Sequence, residues 1–148
     1  MLVPTRILVP TDFSECSGRA LRQALDIATE YQAKVFLLHV VHDVMDFTGL
    51  DFIRSENMIQ DFKGNELVWA RRNLKKQLEG FPQANEVEVE TVVRRGVPYV
   101  EILKLGEEER IDLIVIASLG KSGIARYLIG SVARNVLKGS KCPVLLTK

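Results

Sequence analysis

The stretch "SLGKSG", residues 118–123, sets a Gly-Lys-Ser triplet directly after a run of apolar β-formers, a setting in which backbone N–H groups can cradle phosphate. A Walker-type loop needs its first glycine five residues before the second. That position holds Val115, inside the apolar run, and Gly123 stands where the loop's helix should begin, so the Walker reading fails. Another spacing survives: Gly120, then nine residues, then Gly130-Ser131. There the start of a helix offers free N–H groups and a hydroxyl to an anion, and Gly120 permits close approach of the backbone. The alternative is structural, with Gly120 and Gly123 turning the chain and Ser131 capping a helix.

Catalytic side chains are sparse. The chain has two histidines, no Gly-x-Ser-x-Gly elbow and no carboxylate dyad. Asp12 follows the first apolar run and is either a ligand contact or the closure of a turn with Ser14. Because Thr11 and Phe13 flank it, the second acidic residue of a receiver-type site is missing. Cys16 and Cys142 show no Cys-x-x-Cys or Cys/His spacing. Both read as buried thiols, with Cys16 in a first helical turn where the macrodipole favours a thiolate.

These residues need elements to hold them, and the chain supplies short β-branched runs alternating with amphipathic segments. The pattern predicts strands at 6–10, 34–41, 86–95, 112–117 and 143–148. A helix starts near Ser14 and ends near Gln32, with Ala20, Leu21, Ala24, Leu25 and Ala28 as its stripe. A second carries Leu67, Ala70, Leu74 and Leu78, opposite Arg71, Arg72, Lys75 and Lys76. That basic cluster is a solvated face or a site for an anion or partner. Residues 42–57 are ambiguous. A third helix follows Gly96 and Pro98, and the last starts near Gly130. The fold class is α/β, five strands and four helices in one domain over 1–148, and the loops at 10–14 and 117–131 are where such sheets bind ligands.

Twenty Lys and Arg against nineteen Asp and Glu leave a formal charge of +1, which gives no field for nucleic acid or an acidic membrane. The longest apolar run is too short to span a bilayer, and the first ten residues contain two prolines and no signal-peptide core. The expected location is cytoplasmic.

"ILVPTDFSE", "LLHVV" and "ASLGKSGIARYLIGSVARNVLKGSKCPVLLTK" together resemble the universal stress protein family across nearly the whole chain. The resemblance implies a Rossmann-like parallel sheet of the adenine nucleotide alpha hydrolase-like kind, in order 3-2-1-4-5. It implies a small stress-response regulator that binds ATP or another adenine nucleotide, with Mg or Mn, and at most slow hydrolysis. Pro10, Thr11 and Asp12 would line the nucleoside side, and Val40 would hold the adenine through its backbone. Ala117, Gly120, Gly130, Ser131 and Val132 would surround the phosphates, with Lys121 and Arg126 as charge partners or solvated side chains. His39, at the end of a buried strand, reads as a satisfied core histidine.

The family pattern has glycine where this chain has Ala117 and histidine where it has Leu119. An alanine methyl costs little on a β backbone and weakens binding where φ must be positive or where the backbone nearly touches the triphosphate. The other reading is a nucleotide-free dimeric interaction module. In the family order the last strand lies at a sheet edge, so a homodimer through residues 143–147 is expected under either.

Overall fold

Three successive residues of the first strand, Ile7, Leu8 and Val9, have no solvent exposure, so both faces of that strand must be covered. A computed structural model of the chain shows how, describing residues 1–42, 56–119 and 129–148, with the backbone alone over 56–63. Gly120, Lys121 and Arg126, and most of the ambiguous 42–57 stretch, lie outside the described residues.

The elements run β1 (Arg6–Pro10), α1 (Glu15–Tyr31), β2 (Lys34–His42), α2 (Glu56–Glu79), a 3-10 turn at Pro82–Asn85, β3 (Val89–Gly96), α3 (Pro98–Glu108), β4 (Leu113–Ala117), α4 (Ser131–Gly139) and β5 (Val144–Thr147). All neighbouring strands are parallel, in the order β3-β2-β1-β4-β5. β1 aligns Ile7 with Val35 of β2 and Leu113 of β4, which fixes the central register.

Side chains alternate across the sheet and so divide the core into two. On one face Ile7, Val9, Val35, Leu37 and Val115 meet Ala20, Leu21, Ala24, Leu25 and Ala28 of α1 and Leu74 of α2. On the other, Leu8, Phe36, Leu38, Ile114 and Ile116 meet Ile102 and Leu105 of α3 and Ala133 and Val136 of α4. The α1 stripe is the one the periodicity predicts. Ser14 caps that helix by accepting from the Ser17 N–H at 3.2 Å, and Gln32 ends it in a left-handed conformation at φ 57.

The two sheet edges differ in chemistry. Along β3, Lys34 of β2 pairs with Glu88 and Glu90 at 2.9 and 2.8 Å, and Arg94 reaches over to Glu108 on α3. The Arg94 hydrogen bond holds the exposed Glu108 carboxyl below its ordinary range, so this tie is present at neutral pH and given up as pH falls through that lowered value. β5 carries no such charges, and Leu145 is 37% exposed.

Some expectations need correction. β2 runs through His42, and β3 pairs only from Val89, because the 3-10 turn and its exit occupy the chain before it. Cys16 and Cys142 are half-buried, not buried, because each sits at the border of an element where packing is one-sided. No helix among the described residues is long and apolar enough to cross a membrane.

Candidate functional site

The strands around the switch point end at different heights. β1 stops at Pro10 opposite Leu38, and its last rung is the Thr11 N–H to the Leu38 carbonyl at 2.8 Å. β2 continues for four more residues. Its even-numbered residues face β1, as the Lys34 N–H bond to Thr5 shows, and its odd-numbered residues face β3, as Val35 to Glu88 shows. Val40 therefore turns its N–H and C=O into the space past the end of β1, an adjacent donor and acceptor that a planar heterocycle can match.

The β1–α1 loop forms the next wall. The Asp12 carboxylate accepts from the Ser14 N–H and the Ser17 hydroxyl, both at 3.0 Å, so the turn-closing reading of Asp12 holds while the residue also lines the cleft. Thr11 is 5% exposed; its hydroxyl accepts from the Phe13 N–H at 3.0 Å and donates to Gln77 of α2 at 2.9 Å. Between them Phe13 stands at φ 65, a left-handed conformation that a bulky side chain adopts at a cost of about 1–3 kcal/mol. Its ring lies 4.4 Å from that of His39 and 5.5 Å, edge-on, from that of Trp69. Aromatic packing on both sides offsets the strain.

His39 corrects the core reading: it is half-buried and borders the cleft. Its Nδ1 lies 2.8 Å from the Thr11 carbonyl, which can only accept, so that nitrogen carries the proton. The ring thus braces the same loop from β2.

The far wall is β4 and α4. Ala117 pairs with Thr147 in the β4–β5 ladder and is not among the residues with positive φ, so its methyl group imposes no backbone strain. The chain returns through Gly130, whose N–H donates to the Ser118 carbonyl at 2.7 Å. A Cβ at Gly130 would stand 3.3 Å from that oxygen, a tight fit. Gly130, not Ser131, is the N-cap of α4, because the chain enters the helix there with extended angles (φ −60, ψ 157) and without a side-chain cap. The first intrahelical N–H is that of Arg134, bonded to Gly130, which leaves the N–H groups of Ser131, Val132 and Ala133 at the mouth of the cleft.

Together these walls enclose an open cleft of about 370 Å³. Of the residues read from the sequence, Pro10, Thr11, Asp12, Val40, Ala117, Gly130, Ser131 and Val132 all line it, as does Leu119. Gly120, Lys121 and Arg126 are outside the described residues. The sequence reading missed Ser17, Pro98 and Ile102 in the lining, and Phe13, Gln77 and Trp69 behind it. Ser17 had a signal in its spacing, three residues after the N-cap Ser14. Among the described lining residues Asp12 and His39 are the titratable ones, so the site is a mostly apolar trough with one carboxylate and one helix N-terminus.

The sequence model described as the universal stress protein family matches residues 4–148. A universal stress protein of Methanocaldococcus jannaschii is 38% identical over 143 residues, covering 97% of this chain and 81% of the relative. The universal stress protein UspA from Lactobacillus plantarum superposes with a TM-score of 0.81 at 26% identity, with 97% of each chain covered. A universal stress protein solved in complex with cAMP gives 0.70 at 26% identity, covering 99% of this chain and 98% of its own.

The strain at position 13 predicts an unusual order of stabilities. Phe13→Ala keeps the left-handed penalty and loses the ring contacts, whereas Phe13→Gly loses the contacts and the penalty together. Urea unfolding should find the glycine variant the more stable of the two by about 1 kcal/mol, and the reverse order would contradict the assignment.

Proposed function

This chain belongs to the universal stress protein family, and we propose from that premise that its switch-point cleft binds an adenine nucleotide, ATP or a close relative, in a regulatory role in the stress response. One observation carries the reading: the outward-facing backbone of Val40, the Asp12 carboxylate and the first N–H groups of α4 border the same cleft. The three fit the three parts of a nucleotide. Val40 takes the edge of the base, Asp12 the ribose hydroxyls, and Ser131, Val132 and Ala133 the phosphates, where the helix dipole adds to the hydrogen bonds. For Gly120, and for Lys121 and Arg126 as charge partners, a role at the phosphates rests on the family pattern alone, since they lie outside the described residues. The cAMP complex of a relative supports the ligand class.

Ala117 supports the reading further, since its β conformation removes the backbone objection to losing the family glycine. Mg or Mn would be held by the phosphate oxygens of the nucleotide. Binding without sustained turnover is the expected behaviour. Asp12 is already engaged by Ser14 and Ser17, so its carboxylate braces the loop and is not set aside as a base for water. Leu119, an apolar side chain on the cleft wall, favours the second reading of a nucleotide-free interaction module.

Either reading includes a homodimer joined through β5. Its ladder ends at the sheet edge, Leu145 on it is exposed, and the ion pairs that blunt β3 have no equivalent there among the described residues.

Calorimetry in magnesium should show saturable binding of ATP or AMP, weakened about tenfold or more, ~1.4 kcal/mol, by Asp12→Asn. No heat with any adenine nucleotide, together with none released from the purified protein on denaturation, would overturn the nucleotide reading; sustained turnover abolished by Asp12→Asn would overturn the non-enzymatic one. Sedimentation should find a dimer at micromolar concentration and a shift to monomer for Leu145→Lys. A wild-type protein that sediments only as monomer would contradict the β5 interface.

A further inference from the structure

The solvent face of α2 does not line the cleft proposed above, although Trp69 packs behind its β1–α1 loop, and its chemistry is unlike the rest of the surface. Leu67, Ala70, Leu74 and Leu78 turn inward at helical spacing, with Ala70 and Leu74 fully buried. The opposite side carries Arg71, Arg72, Lys75 and Lys76, all exposed, beside Val68 and Trp69 at 48% and 53% exposure. Residues 68 to 76 span about 12 Å of helix, so the six side chains form one short patch, apolar at its start and cationic beyond.

The cations of this patch differ from others among the described residues in being both clustered and without a carboxylate partner; Arg22, Arg110, Arg134 and Lys138 also form no ion pair but are scattered. Arg6 is paired with Glu109, Lys34 with Glu88 and Glu90, Arg94 with Glu108, Arg95 with Glu66, and Lys141 with Glu107. Arg71, Arg72, Lys75 and Lys76 have no carboxylate within ion-pair distance among the described residues. Glu66, one of the acids of α2 itself, is held by Arg95. Four positive charges without a carboxylate partner among the described residues are thus collected within six residues of a chain whose formal net charge is +1.

We propose that this face docks a short acidic segment of a partner protein, carrying several Asp or Glu residues and an apolar side chain at one end. Charge complementarity selects the acidic run, since the guanidinium groups of Arg71 and Arg72 can take carboxylates in pairs and the two lysines extend the field by one turn. Trp69 and Val68 supply the apolar anchor; an exposed Trp beside arginines is the composition of an interface centre, not of a solvated face. A near-neutral chain provides no long-range field for a polyanion, and about 8–10 Å of screening length confines the attraction to the patch, which favours a segment of matching length over nucleic acid. A membrane is disfavoured because the apolar part is two residues at one end of the patch, too little to bury in an acyl layer.

Trp69 is the only tryptophan, so its emission reports directly on the patch. A synthetic amphipathic peptide of about 14 residues, with four glutamates at helical spacing and a leucine pair at one end, is titrated against the nucleotide-free full chain. The expected result is a saturable change in emission at micromolar peptide, with affinity falling about tenfold or more in about 0.5 M salt. Arg71→Glu/Arg72→Glu should lose binding by a similar factor, and so should the independent pair Lys75→Glu/Lys76→Glu, each with an unchanged circular dichroism spectrum. Absence of saturable binding by the wild type, or undiminished binding by both variants, would overturn the proposal. So would tighter binding to an oligothymidine or to phosphatidylserine vesicles than to the peptide. Because no nucleotide is present, failure of the cleft reading leaves this result unaffected.

Discussion

The last rung between β1 and β2, from the Thr11 N–H to the Leu38 carbonyl, sets the geometry on which the rest of the cleft depends. A parallel strand that stops short leaves its longer neighbour with polar backbone groups and no partner on that side, and burial makes such groups costly unless something bonds them. Here β2 runs on to His42, and the chain has placed the reversal of strand order, between β1 and β4, at the same point. The cleft is therefore a consequence of topology and strand length. Side chains only decide what it accepts.

With β1 stopped at Pro10, the loop to α1 must turn sharply while keeping Asp12 at the opening. It does so at the cost of a left-handed Phe13, and three other elements hold it there: Ser17 of α1, His39 of β2, and Gln77 with Trp69 of α2. This is why α2, though remote from the proposed phosphate end, is physically continuous with the cleft wall. The helix touches the loop with one edge, packs Leu74 into the core, and presents Val68, Trp69 and the basic residues to solvent.

Much of this was legible in the sequence, for reasons that can be stated element by element. The runs around Ile7, Val35 and Ile114 are apolar at every position, which only a strand covered on both faces requires, and the α1 stripe has a period that only a helix satisfies. The failed Walker spacing and the surviving Gly130-Ser131 pattern pointed to the entry into α4, which borders the cleft. The order of the strands came from the family resemblance, because local patterning does not encode which strand lies beside which. What stayed hidden depended on tertiary contacts. A left-handed Phe13 cannot be read from composition, since the residue has no preference for that conformation and adopts it only when ring partners from β2 and α2 compensate. Ser131 looked like a cap because serine favours that position, but the close approach of Gly130 to Ser118 moved the cap one residue earlier. His39 looked internal because its strand is; only the early stop of β1 brings it to the rim.

The central claim is that the backbone groups freed by the short β1 and by the start of α4 receive one ligand between them. The most direct measurement is an amide-resolved NMR titration with AMP in magnesium. The account predicts that the N–H signals of Val40, Ser131, Val132 and Ala133 shift together along one saturation curve. Shifts confined to other regions, or no shifts at all with either AMP or ATP, would contradict it.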